Sequence, residues 1–347
     1  MAALLKSCTE HSCGGLIAAA AQVSGNSTSF ARRLAEVLLN ELARGTSSPI
    51  KASDLNVNGS PLQFLLSVRA GFPAMRLIAD PASDATNPSD RSRRSFEALD
   101  NLIVFKRASS MRAVVQALVD SIVPLAPHRY PTGTLRLAAS LNGPGLAVYT
   151  SPPPASETVR WSATRAAAQD LLPHPSAALA LIDSLASSCS VFGLGIEGAE
   201  PHSSRLKLYW RLGPDWHTQP KSLEWFDPVI LDGFFAALVP SGGLPRNAVT
   251  FSAGFHMVSG ELIDCKIDLC LNAARSSQQD AFAYARQSIP CHGLQNPAQS
   301  LTPGFFAQHG IAIACLGLGR SSFGEHRLNV YWYQPVARPL VPHGVSA

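Results

Sequence analysis

No stretch of this 347-residue chain reaches the roughly 18 consecutive apolar residues that a membrane-spanning helix requires, although 46% of it is hydrophobic. The short apolar patch Leu16–Ala21 follows Lys6, Glu10 and His11. That charge order is wrong for a secretory leader, so residues 1–28 read as a small-residue helix or tail. Charge is sparse: 15% of residues are charged, the net charge is +4, and no block of one sign occurs. This speaks against a nucleic-acid-binding protein, which carries a basic stripe. The seven cysteines (Cys8, Cys13, Cys189, Cys265, Cys270, Cys291 and Cys315) include no CxxC pair, and read as small buried thiols in a reducing cytoplasm. The ten histidines show neither HxxxH nor HExxH spacing, which sets zinc enzymes aside.

Two further signals lead nowhere. GLGIEG (193–198) and CLGLGR (315–320) look like glycine-rich phosphate loops, but each lies in a strand-like run rather than at a strand–turn–helix junction. Asp80, Asp84 and Asp90 are too widely spaced for the tight aspartate pair of the all-helical isoprenoid enzymes. With their neighbours, DPASDATNPSDRSRR (80–94), they read as a solvated loop, and SPPPASE (151–157) as a second connector.

What the chain does have is a repeat. A helical stretch followed by two strand-like runs recurs five times: PLQFLLSVRAG with PAMRLIAD, TLRLAASL with LAVYT, SVFGLGIEG with RLKLYWRLG, AVTFSAGFH with LIDCKIDLCL, and IAIACLGLG with RLNVYWYQP. The second strands end near residues 80, 150, 212, 271 and 334, a period of about 60–70 residues. Amphipathic patterns at 29–43, 111–125, 177–186, 228–238 and 278–288 predict helices between the hairpins. Five hairpins make ten antiparallel strands. A sheet of this size, with helices to cover one face, is best stabilised by closing on itself, and ten strands leave a lumen. The expected fold is therefore α+β: one ten-stranded antiparallel barrel ringed by helices over residues 29–336, with a tail at 337–347.

Alternation along each strand separates the two faces. Leu206, Leu208 and Trp210, like Leu328, Val330 and Trp332, point to the helices. The opposite parity collects Arg69, Arg76, Arg136, Arg205, Lys207, Arg211, Lys266 and Arg327, together with Tyr149, Tyr209, Tyr331 and Tyr333. The acids there are Glu197, Asp264 and Asp268. Converging cations neutralise a diphosphate through charge-assisted hydrogen bonds and stabilise the charge that builds as an allylic diphosphate ionises. Tyrosine faces stabilise an allylic cation and keep water from it.

GIEGAEPHSSRLKLYWRL (195–212), LNVYWYQP (328–335) and PAMRLIAD (73–80) resemble the ABBA prenyltransferases, built from five ααββ repeats, and within them the cyanobactin-type peptide prenyltransferases. The resemblance spans about residues 30–336. It implies transfer of an allylic isoprenoid from its diphosphate to a side chain of a ribosomal peptide. Arg76 and Lys207 would bind diphosphate, with Lys266, Arg136, Arg211 and Arg69 added from the lumen argument. Tyr149, Tyr209, Tyr331 and Tyr333 would shield the cation. The resemblance also implies a diphosphate-bound Mg²⁺. Where the family places a glutamate on the first strand as proton acceptor this chain has Gln63, so Gln63 takes that catalytic position without a carboxylate, and the base is instead Glu197 or Asp268, or none is needed.

Two rival readings remain. The same fold would serve with a small indole or phenol as acceptor. The short chain after Gln334 leaves the barrel mouth open and favours the peptide. A non-catalytic barrel that holds an anionic amphiphile is the other. The remaining expectations are a cytoplasmic monomer or weak oligomer with no nucleic-acid or membrane partner.

Overall fold

The structure is a computed structural model. It describes residues 2–40, 60–69, 73–83, 87–122, 135–152, 155–212, 226–241, 248–288 and 301–335, together with Ser53, Leu55, Asn56, Ala85, Gly243 and Pro245. Ten strands, β1 (Leu62–Arg69), β2 (Ala74–Ala79), β3 (Arg136–Ser140), β4 (Leu146–Thr150), β5 (Cys189–Gly198), β6 (Arg205–Leu212), β7 (Val249–His256), β8 (Leu262–Cys270), β9 (Ala312–Ser321) and β10 (His326–Tyr333), close into one barrel. All neighbours are antiparallel, and β1 completes the ring against β10 from Gln63↔Tyr333 to Arg69↔Arg327. The five expected hairpins are all present and their second strands end at residues 79, 150, 212, 270 and 333.

The helices cover the outside. They are α1 (Ala2–Ser24), α2 (Thr28–Leu39), α3 (Pro88–Lys106), α4 (Met111–Ile122), α5 (Glu157–Leu171), α6 (Ser176–Leu185), α7 (Pro228–Leu238), the single turn α8 (Leu271–Ala274), α9 (Gln278–Ser288) and α10 (Pro303–His309). Leu206, Leu208, Trp210, Leu328, Val330 and Trp332 are buried in one layer with Leu34, Leu38, Leu102, Val115 and Phe306. Trp332 sits between Phe64 (4.7 Å) and Phe306 (5.1 Å). Each such fully buried apolar side chain contributes roughly 1.5–3 kcal/mol. The outer parity is thus satisfied by helices, which leaves the polar parity for the lumen.

The stretch 80–94 departs from its sequence reading. It is not one solvated loop. Asn87 caps α3 by accepting from the Asp90 amide at 2.7 Å, and Pro88 opens the helix. Asp80 is only 1% exposed and accepts from Ser53 Oγ and Arg91 Nη2, both at 2.5 Å. The helix start was hidden by polar residues, but an Asn–Pro step is itself a start signal. Asp90 is half-exposed in the first turn of α3, and Asp84 lies outside the described residues. GLGIEG and CLGLGR lie within β5 and β9. No described helix is long and apolar enough to cross a membrane.

Candidate active site in the barrel lumen

Strand direction gives the lumen two ends. At the hairpin end lie the β1–β2, β3–β4, β5–β6, β7–β8 and β9–β10 turns, and at the connection end the chain leaves for the helices. The hairpin half holds an ion network drawn from five strands. Glu197 (β5) accepts from Arg205 Nε (3.0 Å) and Nη2 (2.5 Å), from Tyr149 OH (2.7 Å), and pairs with Arg76 (3.1 Å). Asp264 (β8) accepts from Arg205 Nη1 (2.5 Å) and Arg327 Nη2 (2.6 Å), with Lys207 Nζ at 3.8 Å. Burial raises the Glu197 pKa, but Arg205, Arg76 and Lys207 outweigh it and hold the carboxyl well below its usual range. The same contest, burial against Lys207, Arg205 and Arg327, leaves Asp264 lowered. In both, the neighbouring cations favour the ionised form.

Lys207 is different. It is 2% exposed, and its nearest acid is at the limit of an ion pair. Burial pushes its ammonium down to about 7, despite the pull of Asp264 and Glu197. On the inward parity of β7 and β10, polar atoms also lack a partner among the described residues: Ser252 Oγ, Asn329 Nδ2 and Arg327 Nε. A buried donor left unpaired costs about 1–3 kcal/mol, so this group is suited to an anion with many acceptor oxygens.

Mid-lumen, Lys266 Nζ donates to Tyr331 OH (2.5 Å) and pairs with Asp268, whose other oxygen has no partner among the described residues. Tyr149 meets Tyr209 edge-on at 5.9 Å between centroids. Lys207 and Lys266 lie 5.7 and 5.9 Å from the Tyr209 ring centre, and Lys266 5.1 Å from that of Tyr331. Glycines on the same parity make the space. A Cβ at Gly195 would lie 2.5 Å from the Tyr149 ring, and one at Gly319 2.3 Å from Arg327 Nε.

Toward the connection end the lining turns apolar and then polar. Leu65, Ile78, Ala138, Ala147 and Ala314 pack with Tyr331, and Leu55, Cys315, Tyr149 and Tyr333 border them. Gln63 donates to Asn56 Oδ1 at 3.0 Å. Arg211 stacks over Phe192 at 4.2 Å, in the strand segment where β5 bulges between Val191 and Gly193, a device that re-aims side chains.

The sequence-derived residues therefore divide into groups. Arg76, Lys207 and Lys266 share the hairpin half and the centre with Tyr149, Tyr209 and Tyr331. Arg136 and Arg211 do not join them. Arg136 opens β3 at the connection end, near Asp80, where burial raises the carboxyl's pKa and Arg91 and Arg136 only partly offset it, and Arg211 lies near the other end of β6 from Arg205. Tyr333 pairs with Gln63 at the connection end. The side chain of Arg69 lies outside the described residues. Gln63, Glu197 and Asp268 occupy three separate neighbourhoods. Glu197 is bound by two arginines rather than by Lys207 or Lys266, whereas Asp268 does pair with Lys266. The sequence reading gave no role to Asn329 or Ser252, although both have inward parity, beside Gly317 and Lys266 in the sheet.

Among the described residues, no group of three or more His, Cys, Asp or Glu side chains is placed to hold a metal ion. Glu197, Asp264 and Asp268 are each engaged by lysine or arginine. This donor set does not fit a protein-held Mg²⁺.

No protein-family pattern and no curated protein matches the sequence. Solved structures do match. The 5-dimethylallyltryptophan synthase from Streptomyces coelicolor is similar with a TM-score of 0.76 and 22% identity over 93% of this chain and 96% of that one. The 6-dimethylallyltryptophan synthase from Micromonospora olivasterospora, solved with DMASPP and Trp, gives a TM-score of 0.73 and 15% identity over 92% and 95%. AnaPT from Neosartorya fischeri gives 0.64 and 14% over 89% and 86%. The chain has the fold of the ABBA prenyltransferases, the ten-stranded prenyltransferase barrel.

Proposed function

We propose that the protein transfers an allylic isoprenoid, of the dimethylallyl class, from its diphosphate to a small aromatic acceptor bearing an indole. The observation that carries this reading is the polarised lumen: cations and unpaired donors in one half, a tyrosine cluster in the middle, and a mixed polar region beyond it. The diphosphate is held by Lys207, Lys266, Arg76 and Arg327, with Ser252 and Asn329 donating to its oxygens. These groups meet the charge that grows on the leaving group as the carbon–oxygen bond breaks. Tyr149, Tyr209 and Tyr331 face the allylic carbons, each contributing about 0.5–2 kcal/mol of cation–π attraction. The acceptor carbon attacks from the connection half, and Asp268, through its unpaired oxygen, takes the released proton. Glu197, held ionised by two arginines, fixes Arg205, Arg76 and Tyr149. Gln63, oriented by Asn56, positions the acceptor.

The expected peptide acceptor gives way to the small-molecule alternative. The similar structures are tryptophan prenyltransferases, and one residue of this chain supports the same class. Arg211 has a buried Nε with no partner among the described residues, and burial lowers its pKa. A carboxylate on the acceptor would satisfy it, as an amino acid with an indole side chain supplies.

Mass spectrometry tests the reading. The full chain is incubated with dimethylallyl diphosphate and a panel of tryptophan, indole, phenols, and linear and cyclic peptides. A gain of one dimethylallyl group on tryptophan or a carboxylated indole is the expected result. Products on peptides alone would move the acceptor back to that class, and no product with any acceptor despite tight diphosphate binding would refute catalysis.

A further inference from the structure

Two thiols of the lumen wall have no place in the chemistry above. Cys270 on β8 and Cys315 on β9 are direct register partners. Both have inward parity, with Lys266 and Asp268 on the one strand and Gly317 and Gly319 on the other. Cys265 and Cys189 belong instead to the outer layer under the helices, and Cys13 is buried on α1.

The ladder defines how close the pair is. The Cys270 amide donates to Ala248 O at 2.7 Å, on the β7 side. In an antiparallel sheet the N–H and C=O of one residue point to the same neighbour. Toward β9, Cys270 therefore occupies a non-hydrogen-bonded site, where facing Cα atoms are only about 4.5 Å apart. A disulfide spans Cα separations of about 4.4–6.8 Å, so the backbone already has the required spacing. The facing Cys315 thiol pulls the Cys270 pKa down to about 6, and the same pairing together with burial pushes that of Cys315 up. Arg211 adds a smaller pull in the same direction on Cys270. One thiolate nucleophile thus faces one resolving thiol.

We propose that Cys270 and Cys315 are an oxidisable dithiol, converted to a cross-strand disulfide by hydrogen peroxide or by a small disulfide such as oxidised glutathione. With peroxide, the Cys270 thiolate attacks one oxygen. The O–O bond breaks, a proton is taken up, water leaves, and a sulfenic acid remains. The Cys315 sulfur then attacks the Cys270 sulfur, its proton leaves with the hydroxyl as a second water, and the S–S bond forms. With oxidised glutathione, the first attack releases one glutathione thiolate and the second releases the other. The bridge removes the thiolate beside Arg211 and ties β8 to β9 in the acceptor half. The site itself stands independently of the prenyl-transfer reading.

The test is peptide mapping of the folded full-length chain after treatment with peroxide and, separately, with oxidised glutathione, followed by alkylation and trypsin. The expected product is a cross-link, with loss of two hydrogens, between the peptide IDLCLNAAR (267–275) and the peptide from Gln287 to Arg320. That second peptide also contains Cys291, so the link must persist in Cys291→Ser. It must vanish in Cys270→Ser and in Cys315→Ser, with Cys315→Ser instead accumulating glutathione on Cys270. Circular dichroism confirms that the serine variants are folded. Independent alkylation of Cys270 and Cys315 after oxidant treatment of the folded wild type, or a link through Cys291, would overturn the proposal.

Discussion

Lys207 makes the proposed site report on its own ligand. Burial holds its ammonium at about 7 against an ordinary value near 10.5. The difference corresponds to roughly 5 kcal/mol against the charged form. A diphosphate with two to three negative charges needs that ammonium charged, so binding above pH 7 must draw a proton from solvent. Below pH 7 Lys207 is already charged and no proton is taken up on its account. Above pH 7 the uptake climbs toward one proton per ligand, and affinity falls by up to tenfold per pH unit. Calorimetry of inorganic diphosphate binding from pH 6 to pH 9, in buffers of different ionisation enthalpy, measures this directly. In Lys207→Met the uptake due to the protein disappears. The ligand's own proton exchange is common to both proteins and cancels in the difference. At pH 6 the variant binds about 10- to 100-fold more weakly, the value of one charge-assisted hydrogen bond, and the gap narrows as pH rises. Its thermal stability is unchanged or higher, because a costly buried charge has been removed. Equal proton uptake by the two proteins at pH 8 would show that Lys207 does not take up a proton on binding.

Other expectations follow from the same geometry. Tyr149→Phe deletes the hydrogen bond to Glu197 and costs about 1.5–3 kcal/mol of stability, as befits a bond to a charged acceptor; denaturant titration checks it. Gly319→Ala places a Cβ 2.3 Å from Arg327 Nε, and should lower diphosphate affinity with little loss of secondary structure, read by calorimetry and circular dichroism. Arg211→Leu should raise KM for tryptophan at least tenfold while leaving that for 3-methylindole within about threefold, since one charge-assisted bond is worth about 1.5–3 kcal/mol. Turnover should persist in excess EDTA if Lys207, Lys266, Arg76 and Arg327 neutralise the diphosphate by themselves; its loss would assign part of that task to a diphosphate-bound metal ion.

Much of this architecture is legible in the sequence because hairpins are local. The 60- to 70-residue period gives ten strands, and the alternation in RLKLYWRL separates Leu206, Leu208 and Trp210 from Arg205, Lys207, Tyr209 and Arg211. Parity does not say which inward residues meet. Arg205 and Arg211 share a face, yet their positions on one strand, at about 3.3 Å per residue, put them about 20 Å apart. They serve different halves of the lumen. Nor does parity reveal partners across the barrel, which depend on closure and register. Asp264 gathers Arg205 and Arg327 from two other strands, and nothing local in LIDCKIDLC foretells it. The Asp80–Arg91 pair escaped for another reason: the polar run 80–94 has the composition of a loop, while its Asn87–Pro88 step starts a helix. Asn56 and Gln63 lie seven residues apart, and nothing in the local residue types announces their hydrogen bond.

A crystal structure of the full chain with dimethylallyl S-thiolodiphosphate shows directly where the donor is held. The diphosphate should lie in the hairpin half, within hydrogen-bond reach of Lys207 and Lys266, and the hydrocarbon between Tyr149, Tyr209 and Tyr331. An analogue bound outside the barrel, or with its diphosphate at the Arg136 and Arg211 end, would contradict this placement.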